Sequence, residues 1–145
     1  MEAIVCLEAR QVLYEPKEPI KYVYFPEKAV ISIASLMKDG LTVEAGMVGH
    51  EGVVGIHTLF GVPSAPYQYL TLIRGNAYRM KAKVFKAEFK GDGALHDLLL
   101  RYMQTRLIQF SRIGACNCIH PAIERVCRWL LMAYERAMSD ELSLT

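Results

Sequence analysis

The hydrophobic pattern of this chain changes its period once, near residue 81, and that change limits the folds that are open to it. Before that point, short runs rich in Val, Ile, Tyr and Thr alternate with turn residues, which is typical of β-strands. After it, apolar residues recur at spacings of three and four, which is typical of amphipathic helices. The pattern therefore predicts a mainly β architecture followed by C-terminal helices.

Six short strands are predicted in the first half of the chain. Their ranges are 11–14, 21–25, 29–36, 41–48, 67–73 and 77–80. Turn signals separate them, and Asp39-Gly40 between two strand-like runs predicts a tight hairpin. Gly75-Asn76 is a second turn signal, between the last two strands. Short strands with frequent turns indicate a closed or double-sheet β architecture.

Three helices are predicted in the second half, at 81–89, at 94 to about 116, and at 122–138 after the break at His120-Pro121; 139–145 would leave the last helix. The middle helix has two apolar faces, so one face would cover the sheet and the other a second protomer. The alternative is a helix buried entirely in its own core. The predicted dimer interface is an apolar stripe with alternating spacings of three and four: Leu100, Met103, Leu107, Phe110 and Gly114.

The composition bounds the class of protein. The 145 residues fit one domain, and 52% hydrophobic with 22% charged residues excludes a disordered chain. The net charge of +2 is too balanced for the main contact surface of a DNA-binding protein. No apolar run approaches the roughly 20 residues that span a bilayer, and no signal peptide is recognisable, so we expect a cytoplasmic protein with no membrane partner.

Three segments of the chain, at 11–26, 43–55 and from Ala115 through 139–145, together resemble the Crp/Fnr family of transcription regulators. The resemblance implies a double-stranded β-helix jelly roll like that of cyclic-nucleotide-binding domains, then a long dimerisation helix and a winged helix-turn-helix. It divides the chain into a jelly-roll sensor domain at 1–93, a dimerisation helix at 94–118 and a truncated start of the DNA-binding domain at 119–145. It implies a homodimer that binds DNA through elements absent from this chain.

Nucleotide-binding members of that family hold the ligand phosphate with a stretch resembling Gly-Glu-Leu and a downstream Arg-Ser or Arg-Thr. The matching stretch here keeps Gly55 but has Ile56 in the place of the Glu and Pro66 in the place of the Arg. Because burying a phosphate without a counter-ion is costly, we expect weak or no binding of cyclic AMP. The candidate ligand-binding residues in and before this cassette are Glu51, Gly52, Gly55, Ile56, His57, Pro66 and Tyr67.

Two alternative functions stay open beside an effector-sensing and dimerisation domain with an unidentified small-molecule effector. Cys116, Cys118 and His120 lie close in sequence and offer soft ligands to a redox or metal sensor, although the two cysteines point about 200° apart on a helix. The other alternative is a stand-alone regulatory interaction module without DNA binding. We expect no enzyme, because no nucleophile elbow, P-loop or carboxylate pair is recognisable, and we expect no cofactor and no metal site.

Overall fold

The computed structural model describes residues 3–91 and 93–138. Within these ranges, seven strands lie in two antiparallel sheets, with the orders β1-β7-β3 and β2-β6-β4-β5. The strands are β1 Ala3–Leu7, β2 Val12–Tyr14, β3 Tyr22–Pro26, β4 Val30–Leu36, β5 Thr42–Val48, β6 Gln68–Ile73 and β7 Gly75–Lys81. A 3-10 helix at Ile56–Phe60 precedes β6, and three helices follow the strands: α1 Ala82–Lys90, α2 Ala94–Ile119 and α3 Ala122–Ala137. The predicted mainly β architecture with C-terminal helices is confirmed.

The hairpin predicted at Asp39-Gly40 is confirmed, since β4 and β5 pair as antiparallel neighbours around it. Met37 N–H donates to Leu41 O at 2.8 Å, and Gly40 adopts a left-handed φ of 84° that suits glycine. The turn predicted at Gly75-Asn76 is wrong, because both residues lie in β7. Gly75 passes so close to the backbone of Ala29 that a Cβ atom would collide with it, which explains a glycine inside a strand. Strand β1 was not predicted.

Strand β4 is buried on both faces, which is unusual for an antiparallel strand. Ile31 and Ile33 face the main core between the two sheets. Val30 faces the other way into a second cluster with Met47 and Ala133, so α3 covers the outer face of the sheet. The double burial accounts for the nearly continuous apolar sequence of this strand.

Helix α3 is attached to that outer face by small residues and two polar contacts. Ala133 and Ala137 are buried against the sheet. Trp129 Nε1 donates to Glu44 Oε1 at 2.6 Å, and Arg136 Nε donates to Glu51 Oε1 at 2.8 Å. The larger apolar residues of α3 point away from the sheet and are exposed: Ile123, Val126, Leu130, Leu131 and Tyr134.

The predicted helix bounds agree closely with α2 and α3, although α2 continues to Ile119. The predicted gap between the first two helices includes residue 92, which lies outside the described residues, as does the predicted non-helical end at 139–145. In the described part of the chain, no helix combines the length and the hydropathy of a bilayer-spanning segment.

Replacing Glu44 with Gln tests how α3 is attached. Burial raises the pKa of the Glu44 carboxyl, partly opposed by hydrogen bonds from Ser32 Oγ and Trp129 Nε1. A raised pKa means that ionisation of Glu44 lowers the stability of the fold as the pH rises through the folded pKa. Glu44→Gln keeps an acceptor for Trp129. The free energy of unfolding of this variant, relative to that of the wild type, is expected to increase as the pH rises from about 4.5 to about 7.

Urea unfolding at the two pH values measures this difference. Glu135→Gln, on the exposed side of α3, is the control and should show no such pH-dependent gain. An equal response of both variants would contradict the role of burial at Glu44.

Candidate functional site

A cavity of about 510 Å³ lies between the β2-β6-β4-β5 sheet and one flank of α2. Its size falls within the roughly 300–1,000 Å³ of small-molecule sites. This sheet contributes Ile33, Val48 and Tyr69, and the 3-10 helix contributes Ile56, His57 and Phe60. The helix closes the other side with Leu100, Tyr102, Met103, Gln104, Arg106, Leu107 and Phe110. The lining is therefore mostly apolar and aromatic.

Gly55 sets the direction of the backbone where it begins to form the cavity wall. Its φ of 98° and ψ of 15° are left-handed, and a Cβ atom here would lie 2.7 Å from Tyr14 Oη. The carbonyl of Gly55 accepts a hydrogen bond from Thr58 Oγ1 at 3.0 Å, which starts the 3-10 helix. Gly55 thereby places Ile56 and His57 on the cavity wall.

His57 and Tyr69 form a hydrogen-bonded pair on the cavity wall through His57 Nε2 and Tyr69 Oη. Burial lowers the pKa of the His57 imidazole and raises the pKa of the Tyr69 phenol. Tyr69 also packs edge-on against Tyr14, with ring centroids 5.2 Å apart. Both members of the pair are thus held in their neutral forms near neutral pH.

Arg106 is the cation among the described residues of the cavity wall, and it was not predicted from the sequence. The residue is only 8% exposed, and its Nη1 donates to Met47 O at 2.9 Å and to Gln109 Oε1 at 2.6 Å. Its guanidinium lies 4.7 Å from the centroid of the Phe110 ring. Burial lowers its pKa. The sequence shows only a spacing: Arg106 is seven residues from both Leu99 and Ile113, which places the three on one face of α2, and the structure shows that all three are buried.

The predicted cassette residues lie in two different places. Ile56, His57 and Tyr67 line the cavity, whereas Pro66 is exposed and outside its lining. Glu51 pairs with Arg136 of α3 and also accepts from Gly49 N at 3.1 Å. Gly52 lies directly against Tyr102, where a Cβ atom would collide with the phenol oxygen. Glu51 and Gly52 therefore hold the helices and do not line the cavity.

The predicted dimer stripe is divided by the structure. Leu100, Met103, Leu107 and Phe110 all border the cavity. Met103 and Phe110 are half-buried there, whereas Leu100 and Leu107 are also exposed to solvent. Gly114 has open space where its Cβ would lie. The exposed part of the stripe stays the predicted dimer interface.

The residues of the metal-sensor alternative are not gathered into a site. Cys116 is half-buried, Cys118 is exposed, and His120 Nδ1 is hydrogen-bonded to Glu124. Among residues 3–91 and 93–138, no three Cys, His, Asp or Glu side chains converge as metal ligands. The geometry gives this alternative no ligand set.

Comparisons with known proteins locate the fold. No family model matches the sequence, and no curated protein matches it significantly. A CRP/FNR-family transcriptional regulator from Thermus thermophilus matches 97% of this chain and 70% of its own, at a TM-score of 0.75 and 17% identity. FixK2 from Bradyrhizobium japonicum matches 92% of this chain and 66% of its own, at a TM-score of 0.78 and 19% identity.

A smaller match is the regulatory domain of Toxoplasma gondii PKA, solved with cAMP, which covers 59% of this chain and 32% of that one at a TM-score of 0.53 and 17% identity. The described residues thus have the cyclic-nucleotide-binding-like jelly roll and following helices of CRP/FNR regulators, as predicted. The chain spans about two thirds of the length of such regulators, between 66% and 71% of the chains compared.

The state of His57 is open to direct measurement. Because burial lowers its pKa, its imidazole is expected to titrate below the ordinary value of 6.5 and to be neutral at about pH 7. Because the pKa of His57 is lower in the folded protein, the neutral imidazole adds to the stability of the fold above about pH 6.5. This contribution is lost as the pH falls through the folded pKa. NMR titration of the imidazole protons measures it, with the signal assigned by its loss in His57→Gln.

The variant Tyr69→Phe separates burial from hydrogen bonding. It removes the partner of His57 but keeps the ring, so the midpoint should stay below 6.5. A His57 midpoint at or above 6.5 in the wild type would contradict the burial argument.

Proposed function

We propose that this chain is the effector-sensing and dimerisation part of a bacterial transcription regulator of the CRP/FNR type. The observation that carries the proposal is the cavity between the jelly roll and α2, because the helix that closes it also leads into α3. The fold of the solved regulators supports the same assignment. DNA binding is proposed for the whole regulator, through elements beyond this chain.

The lining of the cavity favours binding over catalysis. No carboxylate is among the described residues that line it, and His57 and Tyr69 are held neutral. The described lining therefore lacks the carboxylate pair that glycoside hydrolases use for acid–base chemistry. An effector for this cavity is small and largely apolar, with hydrogen-bonding groups for His57 and Arg106.

Cyclic AMP fits this cavity poorly. Ile56 presents an apolar side chain where the resemblance places a ribose-binding Glu, and Pro66 supplies no charge for the phosphate. Arg106 is the cation among the described lining residues, but Met47 O and Gln109 Oε1 engage its Nη1, which leaves Nη2 as the unpartnered donor of this one guanidinium. A phosphate would lose its hydration for little compensation, so binding is weak or absent.

Helix α2 is suited to transmit occupancy of the cavity. Leu100 and Leu107 border the cavity and are exposed on their other side, where a second copy of the helix would pack. A ligand that displaces these side chains would change the packing of the two α2 helices against each other. The change would be transmitted through Pro121 to the position of α3. The exposed apolar face of α3 suits the DNA-reading elements of a complete regulator.

The cavity is tested by filling it. Ile56→Trp should reduce binding of the apolar fluorescent probe anilinonaphthalene sulfonate by about tenfold or more, because the larger ring occupies the cavity. Val62→Trp, at an exposed position outside the lining, is the matched control and should leave binding unchanged. Cyclic AMP should not displace the probe, and calorimetry should show no low-micromolar binding of the nucleotide.

Two outcomes would contradict this part of the proposal. Equal probe binding by both tryptophan variants would mean that the cavity is not the apolar site. Low-micromolar cyclic AMP binding by calorimetry would overturn the argument from Ile56 and Pro66.

The dimer interface is tested on the two flanks of α2. Leu107→Glu should convert a dimer into a monomer in light scattering, because it places a charge in the proposed apolar contact. Leu98→Glu is matched in exposure, at 63% against 69% for Leu107, but lies outside the predicted stripe, so it should leave the dimer intact. A dimeric Leu107→Glu protein would place the interface elsewhere.

A further inference from the structure

A second concave site lies between α2 and α3, on a different flank of α2 from the cavity. This arginine groove has a volume of about 720 Å³. Leu100, Met103 and Leu107 border the cavity but not the groove, whereas Arg101 and Arg112 border the groove but not the cavity. The two sites are therefore separate and share only Tyr102 and Arg106.

Positive charge is concentrated in the arginine groove. Five arginines line it, Arg101, Arg106 and Arg112 from α2 with Arg128 and Arg136 from α3. The chain as a whole carries a net charge of only +2. Among the described lining residues, Glu51 is the one carboxylate, and both its oxygens are engaged, by Arg136 Nε and by Gly49 N.

Two arginines of the groove lining, Arg106 and Arg128, also have unsatisfied donors. Arg128 donates to neutral partners, Asn117 Oδ1 at 2.9 Å and Ile113 O at 3.3 Å. Its Nε and the Nη2 of Arg106 are buried and have no hydrogen-bond partner among the described residues. Because Arg106 is only 8% exposed, its guanidinium is withdrawn from water, and the charge of Glu51 opposes this cost only in part. Burial accordingly lowers the pKa of Arg106.

We propose that the arginine groove binds a small organic molecule that carries two or more phosphate groups. Guanidinium groups match the geometry and charge of phosphate oxygens. Arg101 and Arg112 are three helical turns apart, about 16 Å along α2, which is too far for one phosphate to contact both. Leu98 and Ile108 border the same groove and give the organic part of the ligand an apolar surface.

Such a ligand would add charged contacts to the hydrogen bonds by which Arg128 of α3 already reaches Ile113 O and Asn117 Oδ1 of α2. Arg101 and Arg112 belong to α2, and Arg128 and Arg136 belong to α3. An anion between them neutralises both groups at once and so stabilises the observed position of α3 against α2. The site acts directly on the junction between α2 and α3.

The experiment is calorimetric titration of the full chain with inorganic tripolyphosphate at low salt, with orthophosphate as the single-phosphate comparison. Tripolyphosphate should bind about tenfold or more tightly than orthophosphate. The double variant Arg101→Gln/Arg112→Gln should weaken tripolyphosphate binding by about tenfold or more. Both residues are exposed, so the fold should survive, and circular dichroism verifies this.

The double variant Arg74→Gln/Arg125→Gln is the matched control, because it removes two exposed arginines outside the groove. It should leave tripolyphosphate binding unchanged. Three results would overturn the proposal: tripolyphosphate binding no tighter than orthophosphate, equal loss in both double variants, or groove-dependent binding of duplex DNA where tripolyphosphate fails. The last would make the groove a nucleic-acid contact.

Discussion

The burial of one guanidinium group, that of Arg106, fixes the position of α2 on the jelly roll. Its Nη1 reaches Met47 O of β5, and its planar face stacks on Phe110. Phe110 in turn packs on Gly46, where an added Cβ would approach the ring to 3.0 Å. These contacts set how closely the helix approaches the sheet. Since the cavity and the arginine groove both use the walls of α2, both sites depend on this one buried cation.

The attachment of α3 follows a different physical rule. Its contact with the sheet combines buried alanines with a carboxylate, Glu44, whose pKa burial raises. Burying an ionisable group at a contact costs stability that a purely apolar contact would keep, while its hydrogen bonds to Ser32 and Trp129 demand one orientation. The result is a helix whose orientation is defined by its polar contacts and whose stability on the sheet is lowered by one of them.

Local periodicity accounts for what the sequence predicted well. The ends of most strands and helices were predicted within a few residues, because burial of one face gives the sequence a hydrophobic period of two in strands and 3.6 in helices. The prediction of a turn at Gly75-Asn76 was wrong because Gly75 is required by the close approach of the Ala29 backbone, which comes from a distant part of the chain. In the local sequence, a glycine that forms a turn and a glycine that allows a close backbone approach look the same.

The candidate site was only partly predictable for the same reason. Ile56, His57 and Tyr67 were found because the family resemblance marks their segment. The pairing of Glu51 with Arg136 joins residues 85 positions apart, as does that of Glu44 with Trp129. Arg106 was missed because a charged residue on a helix is usually solvated, and only the packed structure shows its burial.

Arg106 and Tyr102 lie on the walls of both the cavity and the arginine groove, and this sharing has a thermodynamic consequence. Tyr102 Oη accepts a hydrogen bond from Val53 N at 3.3 Å, so it ties the helix to the segment that leads into the cavity. A ligand in either site that shifts the Arg106 guanidinium changes the free energy of the other site. Linkage requires the effect to be equal in both directions. An anion that draws Arg106 toward the groove removes positive charge from the cavity wall, and it therefore weakens an acidic effector there while sparing a neutral one.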